Sequence, residues 1–129
     1  MQKQQRVELM AYIYILATIL LTVYGQLVIK WQVDLAGELP PAFESKIIYI
    51  LRLLFNPWVI SGFISAFFAA ISWMIALSKL PLSYAYPFTS LSFIFVPFIS
   101  VFVFKEAISI QQIVGLFFVV LGVVIGSQR

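Results

Sequence analysis

Neither cysteine nor histidine occurs anywhere in the chain. Their joint absence removes thiol nucleophiles, disulfides, imidazole proton relays and the usual zinc ligands. No metal site, no cofactor and no enzymatic chemistry is expected. Charge is scarce too: Asp, Glu, Lys and Arg make up 10% of the 129 residues, against about 25% in a soluble domain. The net charge of +3 is small and dispersed, which excludes nucleic acid as an expected partner and places these cations at lipid headgroups.

Hydrophobic residues account for 63% of the chain, and the mean hydropathy is +1.06. The gaps between charges are long enough for helices of about 20 residues, the length that crosses a hydrocarbon core of about 30 Å. Four spans are predicted, over residues 9–31, 57–79, 83–104 and 110–127. Runs this long and uniformly apolar exclude barrel strands, so the fold class is an all-α integral membrane bundle of four transmembrane helices in a single membrane domain, residues 1–129. The first run ends in GQLVIKW, with no small-residue cleavage site, and reads as a retained span rather than a signal peptide.

Lys3, Arg6, Lys79 and Arg129 fall on the side of the termini, and Lys30, Lys46, Arg52 and Lys105 on the other. This tie gives no orientation by the positive-inside count. Asp34, Glu38, Glu44 and Glu106 on the second side favour cytoplasmic termini.

Local signals punctuate the spans. Asn56 before Pro57 is an N-cap followed by proline at the first helical position. Ser109 and Gln112 make a capping box, with Ile108 and Ile113 as a hydrophobic staple, so the last two helices form an antiparallel hairpin. The long first connection contains GELPP, and after it residues 45–56 set Lys46 and Arg52 in an apolar surface. This stretch reads either as a short helix lying in the interface or as an outward extension of the second span. Gly115, Gly122 and Gly126 give the last helix a face that packs closely against a neighbour, within the chain or in a dimer.

Polar groups at membrane depth are costly unless satisfied and point to function. Thr18, Thr22, Gln26 and Lys30 recur at every fourth position of the first helix, along one stripe. Ser61, Ser65 and Ser72 lie on the second helix; Tyr86, Ser90, Phe93, Pro97 and Ser100 lie on the third. Either these line a cavity, or the hydroxyls bond their own helix carbonyls and Lys30 snorkels. A helix backbone does not satisfy the amide of Gln26 so readily, which marks it as a ligand or cross-helix contact. No Asp or Glu lies inside a span, so a buried carboxylate for exchanging protons against cations is missing. Glu106 is expected at the interface, paired with Lys105 or the last helix's N-terminus.

The stretches AYIYILATILLTVYGQLVIK and IVGLFFVVLGVVIG resemble the first and last helices of four-helix members of the drug/metabolite transporter superfamily, small multidrug resistance proteins among them. In that comparison the essential carboxylate of the drug pumps falls at Thr22. The chain is more similar still to the EamA-like small subunits of the aminoarabinose-phosphoundecaprenol flippase. That resemblance is carried by Gly25, Gln26, Leu27 and Lys30, by Ala85, Tyr86, Pro87, Ser90, Leu91 and Phe93, and by Glu106, Ser109, Gly115 and Gly122. Ala107 stands where those subunits tend to have proline, and the segment from Val33 to Asn56 is longer than theirs.

The resemblance implies a bundle of the small-multidrug-resistance type in the bacterial inner membrane, paired as a homodimer or with a related four-helix chain, that moves a polyprenyl-phosphate-linked sugar between leaflets. A lipid-linked sugar needs cations or donors for its phosphate, polar partners for its hydroxyls and membrane lipid for its tail. Lys30, Arg52 and Lys105 are the expected phosphate ligands; Thr22, Gln26, Ser65, Tyr86 and Ser90 are expected around the sugar. Two other functions remain open at this point: an exporter of small cationic compounds, and a non-transporting membrane partner of a glycosyltransferase.

Overall fold

The computed structural model describes residues 2–128, and among these all regular structure is helical. Helix α1 spans Gln2–Ala36, α2 Phe43–Leu54, α3 Pro57–Leu77, α4 Leu82–Thr89, α5 Ser92–Val103 and α6 Ile110–Gly126. Three helical runs are long and apolar enough to cross a membrane: Gln2–Ala36, Pro57–Leu77 and the combined run Leu82–Val103. With 17 residues, α6 is at the short end of the crossing range, which begins at about 17.

Helix α1 extends past the expected 9–31 at both ends. Its first turns hold Gln, Lys, Arg and Glu, all good helix formers, and the helix ends before Gly37, whose φ of +85° suits a residue without a Cβ. Asn56 starts α3, its side chain accepting from Trp58 N at 2.8 Å with Pro57 in the first turn. Ser109 and Gln112 close the capping box that starts α6. The amphipathic stretch after the first loop is a separate helix, α2, none of whose residues is buried.

The apolar run expected as one helix over 83–104 is two, α4 and α5. At the junction the backbone tightens to three-residue spacing, Ser90 N to Pro87 O and Leu91 N to Phe88 O. Three hydroxyls within one turn, Thr89, Ser90 and Ser92, also donate to the carbonyl three residues back, a competition with the helix ladder that bends the axis.

Packing is uneven. Helices α1 and α3 form a close antiparallel seam, with Thr18 facing Ala69, Ser65 donating to Leu21 O at 2.7 Å, and Asn56 donating to Gln32 at 3.0 Å. At its centre two glycines meet: a Cβ built on Gly25 would lie 3.0 Å from Gly62 O. The main apolar core, including Ile15, Ile19, Val23 and Leu80, gathers toward the other end, where the hydroxyls of Tyr12 and Tyr84 are hydrogen-bonded. Trp31 packs edge-on against Trp58 at the opposite end. From Tyr12 to Trp31 is about 28 Å along α1, close to a hydrocarbon core of about 30 Å, so the two clusters mark the two interfaces. Helix α6 runs antiparallel to the α4–α5 span, Tyr84 donating to Ser127 O at 3.4 Å, but buries only Val123.

Candidate functional site

Between α1, α3 and the α4–α5 junction lies an open groove of about 520 Å³. Of the residues expected around a sugar, Thr22, Gln26, Tyr86 and Ser90 line it; Trp73 and Phe93 add aromatic walls. No carboxylate is among the lining residues.

Hydrogen bonding separates the polar residues that the sequence presents as alike. Thr18 donates to Tyr14 O at 2.8 Å, and Thr89, Ser90 and Ser92 each donate to a carbonyl of α4 three residues back. Ser65, expected at the site, is buried instead in the α1–α3 seam, where its hydroxyl bonds Leu21 O, and it does not line the groove. Ser61 is likewise engaged, with Trp58 O and with Tyr24 at 3.0 Å. Thr22, Gln26 and Tyr86 have no hydrogen-bond partner among the described residues. Their donors and acceptors are therefore left over from the packing of the bundle, at residues that line the groove.

Thr89 and Ser92 line the groove without having been singled out in the sequence. The signal was present in the cluster Thr89, Ser90, Ser92 beside Pro87, a concentration of helix-bending groups in one turn.

Lys30 sits one turn beyond Gln26. Its Nζ is 3.0 Å from Asp34 and 3.6 Å from Glu106, with all three side chains about half exposed (45% and 46%). Glu106 therefore pairs across the bundle with Lys30, rather than with its neighbour Lys105. The turn explains this: Lys105 has a φ of 55°, a left-handed conformation that reverses the chain at the end of α5, and it makes no ion pair among the described residues. Arg52 is elsewhere. It lines a second cleft, of about 490 Å³, between the end of α1 and α2, which shares no lining residue with the groove.

Among the described residues Gly115, Gly122 and Gly126 face no neighbour: a Cβ on any of them would meet nothing within 4 Å. Intrachain packing does not use this face.

Several apolar spans around a groove with uncommitted polar groups at membrane depth define a multi-pass membrane protein of the small transporter class. The chain belongs to the EamA-like transporter family, whose model matches residues 1–127. It is 31% identical over 125 residues to the probable 4-amino-4-deoxy-L-arabinose-phosphoundecaprenol flippase subunit ArnE of Proteus mirabilis (strain HI4320), covering 93% of this chain and 99% of that one. It is also 31% identical to the corresponding subunit ArnF of the same organism, covering 92% of each chain. A third relative, ArnF of Aeromonas salmonicida (strain A449), is 30% identical over 94% of this chain and 81% of its own length. No solved structure matches the chain significantly.

Proposed function

We propose that the chain is one subunit of a flippase that moves a polyprenyl-phosphate-linked sugar between the leaflets of the bacterial inner membrane. The observation that carries this reading is the set of three uncommitted groups, Thr22, Gln26 and Tyr86, in a groove without a carboxylate. Sugar hydroxyls need both donors and acceptors, and these residues offer both. The aromatic walls of the groove, Trp73, Tyr86 and Phe93, suit the apolar face of a sugar ring and the ammonium of an amino sugar.

Lys30, one turn above Gln26 at the interface, holds the phosphate in this reading, with Lys105 beside it. An incoming phosphate displaces Glu106 from Lys30, which loosens the contact between α1 and the α5–α6 turn. The polyprenyl tail stays in the bilayer throughout, through the open side of the groove.

The subunit works as a dimer, with itself or with a related four-helix chain. Four helices of which one buries a single residue leave the groove incompletely walled, and the glycine face of α6 offers a close approach for the partner. Lys30→Ala and Gln26→Ala are expected to abolish delivery of the lipid-linked sugar to the far leaflet while leaving protein abundance unchanged. Undiminished delivery by both variants would remove the site assignment.

The aromatic walls favour a second reading, export of small cationic compounds, since such faces attract organic cations. That reading predicts proton-coupled cation uptake by proteoliposomes. Thr22, standing where the drug pumps carry a carboxylate, opposes it.

A further inference from the structure

The second cleft, between the last turns of α1 and helix α2, is lined by side-chain donors that are not matched by any carboxylate. Asn56 Oδ1 is taken by Trp58 N at 2.8 Å, and Asn56 Nδ2 donates to Gln32 Oε1 at 3.0 Å. Tyr49 gives its hydroxyl proton to Gly37 O at 2.8 Å. What is left over, besides the Ser45 hydroxyl, which can donate or accept, is the amide N–H pair of Gln32, a residue only 6% exposed, and the guanidinium of Arg52. Neither has a partner among the described residues, and no carboxylate lines the cleft.

A guanidinium and an amide N–H pair with no carboxylate beside them favour an oxyanion. A sugar, which must also donate, is poorly served here. The depth of the cleft narrows the choice further, because Gln32 and Asn56 are beside Trp31 and Trp58, whose ring pair marks the interface. Leu35, Ile48 and Leu53 form apolar walls next to the donors, so the occupant joins an anionic head to a hydrocarbon chain. We propose that this cleft binds the phosphate of an anionic glycerophospholipid, with Arg52 and the Gln32 amide as its donors and α2 as the lid that holds the lipid against α1. The site is separate from the substrate groove and does not depend on what the groove carries.

The test is native mass spectrometry of the full chain released from micelles containing phosphatidylglycerol. One retained phosphatidylglycerol is expected, with retention falling about tenfold in Arg52→Ala, as befits loss of a charge-assisted bond. Gln32→Glu is the sharper variant: it keeps the acceptor for Asn56 and replaces the free donor by an anion, so it is expected to expel the lipid with helicity unchanged. Lys46→Ala, a cation on the same helix outside the cleft, is expected to retain it. Equal retention in Gln32→Glu, or equal loss in Lys46→Ala, would overturn the site. Displacement by millimolar inorganic phosphate would make it a free-anion site, and displacement by equimolar undecaprenyl phosphate would give the cleft to the transported lipid; either result contradicts the proposal.

Discussion

Ser65 and Gln26 are both polar residues in apolar helices, yet the bundle treats them in opposite ways. Ser65 is buried where α3 crosses α1, and its hydroxyl reaches Leu21 O at 2.7 Å. Gln26 lines an open groove and bonds nothing among the described residues. The seam is built to be closed, with two glycines in backbone contact, whereas the groove is built with polar capacity left over. Polarity at membrane depth therefore has two uses here, joining helices and receiving a ligand, and the hydrogen-bond partner tells them apart.

The contrast is broken most severely at the glycine crossing. Gly25→Val pushes side-chain atoms into the Gly62 carbonyl, already 3.0 Å from a Cβ, and is expected to cost about 3 kcal/mol in detergent unfolding. Gly62→Ala, whose Cβ would stand 3.4 Å from Gly25 O, at the edge of ordinary contact, is expected to cost less than about 1 kcal/mol in the same measurement. Ser65→Ala removes one interhelical bond, worth about 0.6 kcal/mol in a membrane bundle, and should leave transport intact. Gln26→Ala should change stability by less than about 0.5 kcal/mol yet abolish transport. Gly122→Leu, on the open face of α6, is expected to leave monomer unfolding unchanged and to weaken self-association, read by crosslinking in membranes.

Features set by neighbours in the sequence were legible in it. Asn56–Pro57 and the Ser109–Gln112 box each act within one turn, and both cap the helices they announce. The stripe of Thr22 and Gln26 could be placed on one face because helix periodicity alone determines it. What depended on register between helices was not legible. Ser65 and Thr22 look equivalent until α3 is set against α1, and nothing local indicates that Glu106 meets Lys30 rather than Lys105. The division of the third span at Ser90 and Leu91 was hidden for another reason: an apolar run reads as continuous, while the bend comes from three hydroxyls acting together.

The absence of native cysteine allows the central contrast to be measured directly. Single cysteines at Gln26 and Ser65 can be probed in intact membranes with a small water-soluble maleimide, with and without the lipid-linked sugar. Gln26→Cys is expected to react readily and to be protected by the glycolipid, while Ser65→Cys stays unlabelled in both conditions. Equal labelling at the two positions, or labelling of Gln26→Cys that the glycolipid leaves unchanged, would contradict the account.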